Sequence, residues 1–210
     1  MSTESEPSNP NPPLPPDALA AAARVLEGGG IVAYPTETVW GLAAHPDSPA
    51  GLARLVEVKS RDPRKPLQVS CVDAATALLL AQDDPALRVL ARWWPGPLTV
   101  VAPASARCDP AFAPGGRVGL RVPDHPVARA LLHAVGGMLI TTSCNVSGHA
   151  SATTHAQAVE TGLADIVLPD GGVPASGRAS TVVALPEGEV VREGGVSAQA
   201  IRDLLAGQAP

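Results

Sequence analysis

Three polar side chains, Thr36, Glu37 and Thr38, follow directly on the apolar run "IVAY" in the segment "YPTETVW" at 34–40. A loop that merely reverses direction is served by Gly, Asn or Asp, so two hydroxyls and a carboxylate between Tyr34 and Trp40 ask for a chemical reason. Similar groups recur where other apolar runs end. They are Lys59 and Arg61 in "VKSR", Arg121 in "VGLRVP", Thr141, Ser143 and Asn145 in "TTSCN", Ser180 and Thr181 in "ASTVV", and Arg192 in "VVREGG". In open α/β sheets ligands bind beyond strand ends, so these segments are expected to converge on one cavity. Its inventory would be hydroxyls, amides and cations, with little to serve as a general base. Arg and Lys neutralise phosphate or carboxylate, and Ser, Thr and Asn orient the oxygens. The chemistry is that of oxyanion binding. Arg121 carries most weight, because a charge inside an apolar strand must reach a partner or a wet cavity.

Taken singly, each segment has a plainer role. Thr36 or Thr38 could cap the next segment, Lys59 and Arg61 could sit on a helix dipole, and "TTSCNVSG" could be a turn after a strand. "WWPGPLT" reads as structural, with Trp93 or Trp94 in the core. Other chemistries lack their motifs: there is no G-x-x-x-x-G-K-[ST], no G-x-G-x-x-G opening a βαβ unit, no G-x-S-x-G and no H-E-x-x-H.

The elements that must position these groups alternate between helix and strand. Residues 1–16, "MSTESEPSNPNPPLPP", have almost nothing to bury and read as a disordered or polyproline-like lead; one domain is expected over 17–207. Asp17 would cap the helix "ALAAAARVLE", stopped by Gly28 to Gly30, and the strand "IVAY" follows. Ser48 and Pro49 open a helix whose end carries Lys59 and Arg61 before the strand "LQVSC". Asp73 and Asp84 cap two short helices, "GPLTVVA" and "RVGLRVP" read as strands, and "HPVARALLHAVGG" as a helix feeding the strand "MLITTS". "ADIVLPDGG" and "ASTVVALPEGEVVREGG" add strands and a hairpin, and "SAQAIRDLLAG" is a final capped helix. Such a mixture implies an α/β domain with a mixed, twisted sheet.

Composition narrows the class further. The chain has 210 residues, 45% hydrophobic and 17% charged, with 2% aromatic, so its core is built from Ala, Val and Leu. A net charge of -5 argues against a surface that coats nucleic acid, while leaving room for a local basic cavity. Cys71, Cys108 and Cys144 lack C-x-x-C spacing, so neither a disulfide framework nor a zinc site is favoured. With no signal-like start and no apolar run of membrane-spanning length, the chain is expected to be soluble and cytoplasmic.

In this order the segments resemble the YrdC/Sua5 family, the threonylcarbamoyl-AMP synthases that begin t6A modification of tRNA. The match runs through "GGIVAYPTETVWGLAA", the K-x-R of "VKSRDPRKPLQV", "WWPGPLTVV", "VGLRVPDHPVARAL", "TTSCNVSG", "ADIVLPDGG", "ASTVV" and "VVREGGVS". The length looks like the short bacterial form without the extra C-terminal Sua5 domain. The resemblance implies a twisted mixed sheet flanked by helices around a large basic cavity. It implies an enzyme that makes threonylcarbamoyl-AMP and pyrophosphate from L-threonine, bicarbonate or CO2, and ATP with Mg2+. By the same resemblance Thr36, Arg121, Thr141 and Ser180 would hold threonine or its carbamate, and Lys59, Arg61, Ser143, Asn145 and Arg192 would hold ATP. Glu37 and Thr38 would shape the turn that Tyr34 and Trp40 anchor. The product would pass to a separate threonylcarbamoyl transferase complex acting on ANN-decoding tRNAs.

Two positions depart from the family pattern: Ser70 stands where His is frequent, and Cys144 where Ala is usual, a thiol open to oxidation if exposed. Two rival readings stay open, a YrdC-like module that binds RNA directly, and carbamoyl transfer like that of hydrogenase-maturation relatives. The acylphosphatase and Cys-rich zinc segments of those relatives are missing from this sequence.

Overall fold

The computed structural model describes residues 14–59 and 67–207. Most of the expected Pro-rich lead, and Arg61, therefore lie outside the described residues. The chain opens with α1 (Ala18–Glu27), β1 (Val32–Tyr34), β2 (Gly41–Ala44), α2 (Pro49–Val58), β3 (Gln68–Cys71), α3 (Ala74–Leu79) and α4 (Pro85–Leu90). It continues through β4 (Leu98–Pro103), β5 (Arg117–Arg121), α5 (Pro126–Ala134) and β6 (Met138–Ser143). The last elements are α6 (His155–Glu160), β7 (Ile166–Val167), β8 (Thr181–Ala184), β9 (Glu189–Arg192) and α7 (Ala198–Leu205).

Local chemistry explains most boundaries. Ser48 Oγ accepts from Gly51 N, Asp73 from Thr76 N, Asp84 from Ala86 N and Leu87 N, and Ser197 from Ala200 N, each satisfying amides that a helix start leaves without partners. Asp17 occupies the position before α1, but its side chain makes no capping bond. His125 is an unexpected cap: its Nδ1 accepts from Val127 N, so the proton sits on Nε2, which donates to Val173 O at 3.0 Å. Two elements escaped the sequence reading, β2 and α6. β2 is a short Gly-Ala run with no β-branched signal, and α6 is a single short stretch capped by Thr154.

Nine strands form one mixed sheet in the order β7-β1-β2-β6-β3-β5-β4-β8-β9. Register decides what each face carries, because paired residues project to the same side. Ala44 pairs with Ile140, Ile140 with Val69 and Val100 with Leu120; with Cys71, Leu98 and Val183 these fill one face with an apolar core. Helices α2, α3 and α4 pack against this side. The other face is divided. Toward β1, Val32, Tyr34, Ala43 and Leu139 are buried with Leu26 of α1 and with Leu131 and Leu132 of α5. Further along, the same face carries Thr141 beside Gln68, Gln68 beside Gly119, and Ser70 beside Arg121. That polar stretch is the floor of a cavity.

Candidate functional site

The cavity encloses about 260 Å³ and has Tyr34, Gln68, Thr99, Arg121, Thr141 and Arg192 among its lining residues. These six come from six different strands, β1, β3, β4, β5, β6 and β9, so the sheet itself sets their spacing. Two glycines keep the floor open. A Cβ at Gly119 would lie 3.3 Å from Leu67 O, and one at Gly41 would lie 2.8 Å from Cε1 of the Tyr34 ring. Gly41→Ala is therefore expected to push the phenol off the floor and to destabilise the protein by about 1–3 kcal/mol, read as a lower urea midpoint at unchanged slope.

The "PTET" turn at the cavity wall answers the question its sequence raised. Thr36 Oγ1 donates to Val39 O at 2.7 Å, so the 2.8 Å contact between the two hydroxyls has Thr38 as donor. Arg121 Nη2 then donates to Thr38 Oγ1 at 2.7 Å and to Glu37 Oε1 at 2.8 Å. Glu37 Oε2 accepts from Asp124 N. Thr36 and Thr38 thus close the turn, and Glu37 is the counter-ion that lets Arg121 be buried. Thr36 lines the cavity as expected, while its hydroxyl hydrogen is held inside the turn. The buried Arg121 Nε has no partner among the described residues.

The loop after β7 clamps this turn from outside: Ser176 N donates to Glu37 O and Gly177 N to Thr38 O, both at 2.9 Å. Trp40 is buried, its backbone bonded to both Cys144 and Ala152. Tyr34 and Trp40, both buried, flank and anchor the turn, as the resemblance implied.

A continuous run of polar contacts crosses the floor. Tyr34 Oη meets Ser70 Oγ at 3.2 Å, Ser70 Oγ meets Thr141 Oγ1 at 3.0 Å, and Gln68 Nε2 donates to Thr141 Oγ1 at 3.0 Å. Thr99 Oγ1 donates to Gln68 Oε1 at 3.2 Å and lies 2.9 Å from Ser180 Oγ. Arg192 closes the run, donating to Ser180 O at 2.9 Å and to Ser180 Oγ at 3.3 Å. Partial burial of its guanidinium, and then the charge of Arg121, lower the Arg192 pKa; the two cations face the same space.

Burial pushes the Tyr34 phenol above its ordinary value, against the hydrogen bond from Ser70 and the charge of Arg121, which lower it. Its folded pKa is raised, so its contribution to stability is complete below the unfolded value of about 10 and is lost as pH rises through the folded one. Tyr34 is the only tyrosine in the chain. Phenolate absorbance is expected to appear above pH 10 in the native protein and near pH 10 in urea.

Lys59, the residue that ends α2, lies beside the cavity. Its Nζ donates to Ser143 O at 3.1 Å, Asn145 O at 2.8 Å and Asn145 Oδ1 at 2.6 Å. Ser143 Oγ also donates to Asn145 Oδ1, and Asn145 Nδ2 to His149 O. The structure thus joins Lys59, Ser143 and Asn145 in one cluster at the end of β6, next to Thr141. Cys144 between them is fully buried, and burial raises its pKa; the thiol is shielded from the oxidation that exposure would have allowed.

Gln68, Thr99 and Gly119 are the site residues that motif reading missed. Alternation carried the signal: in "LQVSC" Gln68 and Ser70 share a face, opposite Val69 and Cys71.

The comparisons with known proteins agree with this architecture. The family model Sua5_yciO_yrdC, described as telomere recombination, matches residues 24–194. A protein of Chromohalobacter salexigens named threonylcarbamoyl-AMP synthase is 37% identical over 179 residues, covering 84% of this chain and 97% of that one. A protein of Thiobacillus denitrificans with the same name is 39% identical over 172 residues, covering 80% and 90%. Among solved structures, P. abyssi Sua5 complexed with L-threonine superposes with a TM-score of 0.80 at 30% identity, over 91% of this chain and 58% of that one. With a family match across most of its length and relatives covered almost end to end, the chain belongs to the Sua5/YciO/YrdC family.

Proposed function

We propose that this protein is a threonylcarbamoyl-AMP synthase, joining L-threonine, bicarbonate or its CO2 equivalent, and ATP, with release of pyrophosphate. The observation that carries the reading is the cavity itself. Its charged lining residues are Arg121 and Arg192, neutral hydroxyls and an amide lie between them, and no carboxylate is among the described lining residues. Such a surface takes an amino-acid carboxylate and a phosphate chain together. Relatives named for this reaction, and a neighbour solved with L-threonine, support it.

The reaction places few demands on acid–base groups. The threonine amine forms a bond to carbon and loses a proton, giving a carbamate; from CO2 one C=O π bond opens to the carbamate oxygen, and from bicarbonate a C–O bond breaks and the oxygen leaves as water. A carbamate oxygen then attacks the α-phosphorus, and the bond to the bridging oxygen breaks to release pyrophosphate. Most of the acceleration comes from aligning two anions and neutralising charge that grows between them. In this reading Arg121 and Thr141 hold the threonine or carbamate end and Ser180 assists. Lys59, Arg61, Ser143, Asn145 and Arg192 serve the nucleotide. Thr36 acts by shaping the wall against which threonine rests.

Mg2+ would arrive with the nucleotide. The described residues include no group of three or more His, Cys, Asp or Glu side chains suited to a metal, and Mg2+ is commonly held through substrate phosphates and water. Bound there, it would neutralise phosphate charge.

We further propose that the protein works in the cytoplasm and passes the adenylate to a separate threonylcarbamoyl transferase complex. Among the described residues no helix is long and apolar enough to cross a membrane. Direct RNA binding is not favoured by the described residues: four of the five aromatic residues are buried and Trp93 is half-buried, so none of them forms an exposed platform for bases to stack on.

The test is pyrophosphate release from ATP by purified protein, with threonine and bicarbonate each supplied or withheld, and mass spectrometry of the product. Release that needs both, with threonylcarbamoyl-AMP detected, is the expected result. No turnover, together with salt-sensitive RNA binding, would overturn the proposal.

A further inference from the structure

We propose that Gln68 is a positioning residue that sets the direction of the hydrogen bonds along the cavity floor, and through them selects a hydroxyl-bearing amino acid. The inference rests on the function proposed above. It starts from Arg192, because a guanidinium can only donate. Arg192 Nη2 donates to Ser180 Oγ, which leaves the Ser180 hydrogen for Thr99 Oγ1 at 2.9 Å. The single hydrogen of Thr99 is then directed to Gln68 Oε1, and Gln68 Nε2 passes the direction on to Thr141 Oγ1. Gln68 can relay it because its amide carries an acceptor and a donor on one planar group.

The consequence is local to one end of the cavity. Ser180 and Thr99 have directed their hydrogens along the chain, so what they offer a ligand is lone pairs. Arg121, beyond Gly119, offers positive charge. A ligand that meets both presents its carboxylate to the cation and a side-chain O–H to the hydroxyls. L-threonine does so. L-valine, nearly the same shape with methyl in place of hydroxyl, leaves the acceptors unmatched. Sites built around a substrate hydroxyl discriminate strongly against the analogue that lacks it.

Without the carboxamide, the Thr99 hydrogen loses its acceptor and the Thr99–Ser180 pair can reverse, turning a hydrogen toward the ligand's own O–H. The experiment is calorimetric binding of L-threonine and L-valine to the full-length protein, without turnover, for wild type, Gln68→Met, Gln68→Glu and Thr99→Val. Wild type is expected to prefer threonine. Gln68→Met and Thr99→Val should each lower that preference by about tenfold, the size of one hydrogen bond at the upper end of its usual range. Gln68→Glu keeps an acceptor for Thr99, so it should retain the preference while binding both amino acids more weakly, through repulsion of their carboxylates. A purely structural role would lower thermal stability and leave the ratio alone. An unchanged ratio in Gln68→Met overturns the inference and leaves the proposed function standing. Wild-type protein that binds no threonine overturns both.

Discussion

Arg121→Ala is expected to lower threonylcarbamoyl-AMP formation by about 10²- to 10³-fold, the loss typical of removing one preorganised donor from a developing oxyanion. It should also destabilise the fold, because Glu37 Oε1 loses the guanidinium 2.8 Å away in a largely dry setting. Removing one member of such a pair costs about 3 kcal/mol. The two effects can be separated. In Arg121→Ala with Glu37→Gln no uncompensated charge remains, so most of the stability should return while activity stays low. The urea midpoint and pyrophosphate release, measured on the same preparations, check this. Activity that returns with stability would show that Arg121 only holds the fold. Arg121→Lys should not substitute, since one ammonium cannot serve Glu37, Thr38 and a ligand in the planar arrangement of a guanidinium.

Lys59→Ala is expected to have a comparable effect on rate, about 10²- to 10³-fold, by a different route. Its Nζ donates to the Ser143 and Asn145 carbonyls and to Asn145 Oδ1, so it fastens the loop after β6 and places positive charge where phosphates are proposed to lie. Removing it should loosen residues 143–149, read as faster amide exchange there, and should raise KM for ATP more than KM for threonine. Near-normal turnover would sink the assignment of this cluster to the nucleotide.

Much of the architecture could be read from sequence because its cues are local. Ser48, Asp73, Asp84 and Ser197 announce helix starts through side chains that bond amides two or three residues away, and "MLITTS" coincides with β6. What escaped depends on tertiary pairing. Nothing in "GLAA" marks a strand until Gly41 meets Tyr34 and Ser143 across the sheet. The site divides the same way. Arg121 stood out as a charge in an apolar strand, and its destination was a turn 83 residues earlier. Gln68 and Thr99 were overlooked because a single polar residue in a strand is ordinary; only the register of β3 beside β5 and β6 turns Gln68 into the centre of the floor. Thr36 was read as a ligand contact from the resemblance; it lines the cavity, and what the sequence did not show is that its hydroxyl also holds its own turn.

The floor begins at Tyr34 on β1 and ends at Arg192 on β9, with β4, β5 and β6 laid between them out of chain order. During synthesis the ribosome therefore releases most of this polypeptide before any amino-acid pocket exists. Until β8 and β9 emerge and pair beside β4, the nascent chain carries Arg121 and its turn but lacks the opposite wall. An amino-acid ligand that must touch both walls cannot help fold such an intermediate; it can only stabilise the chain after the last strand has docked.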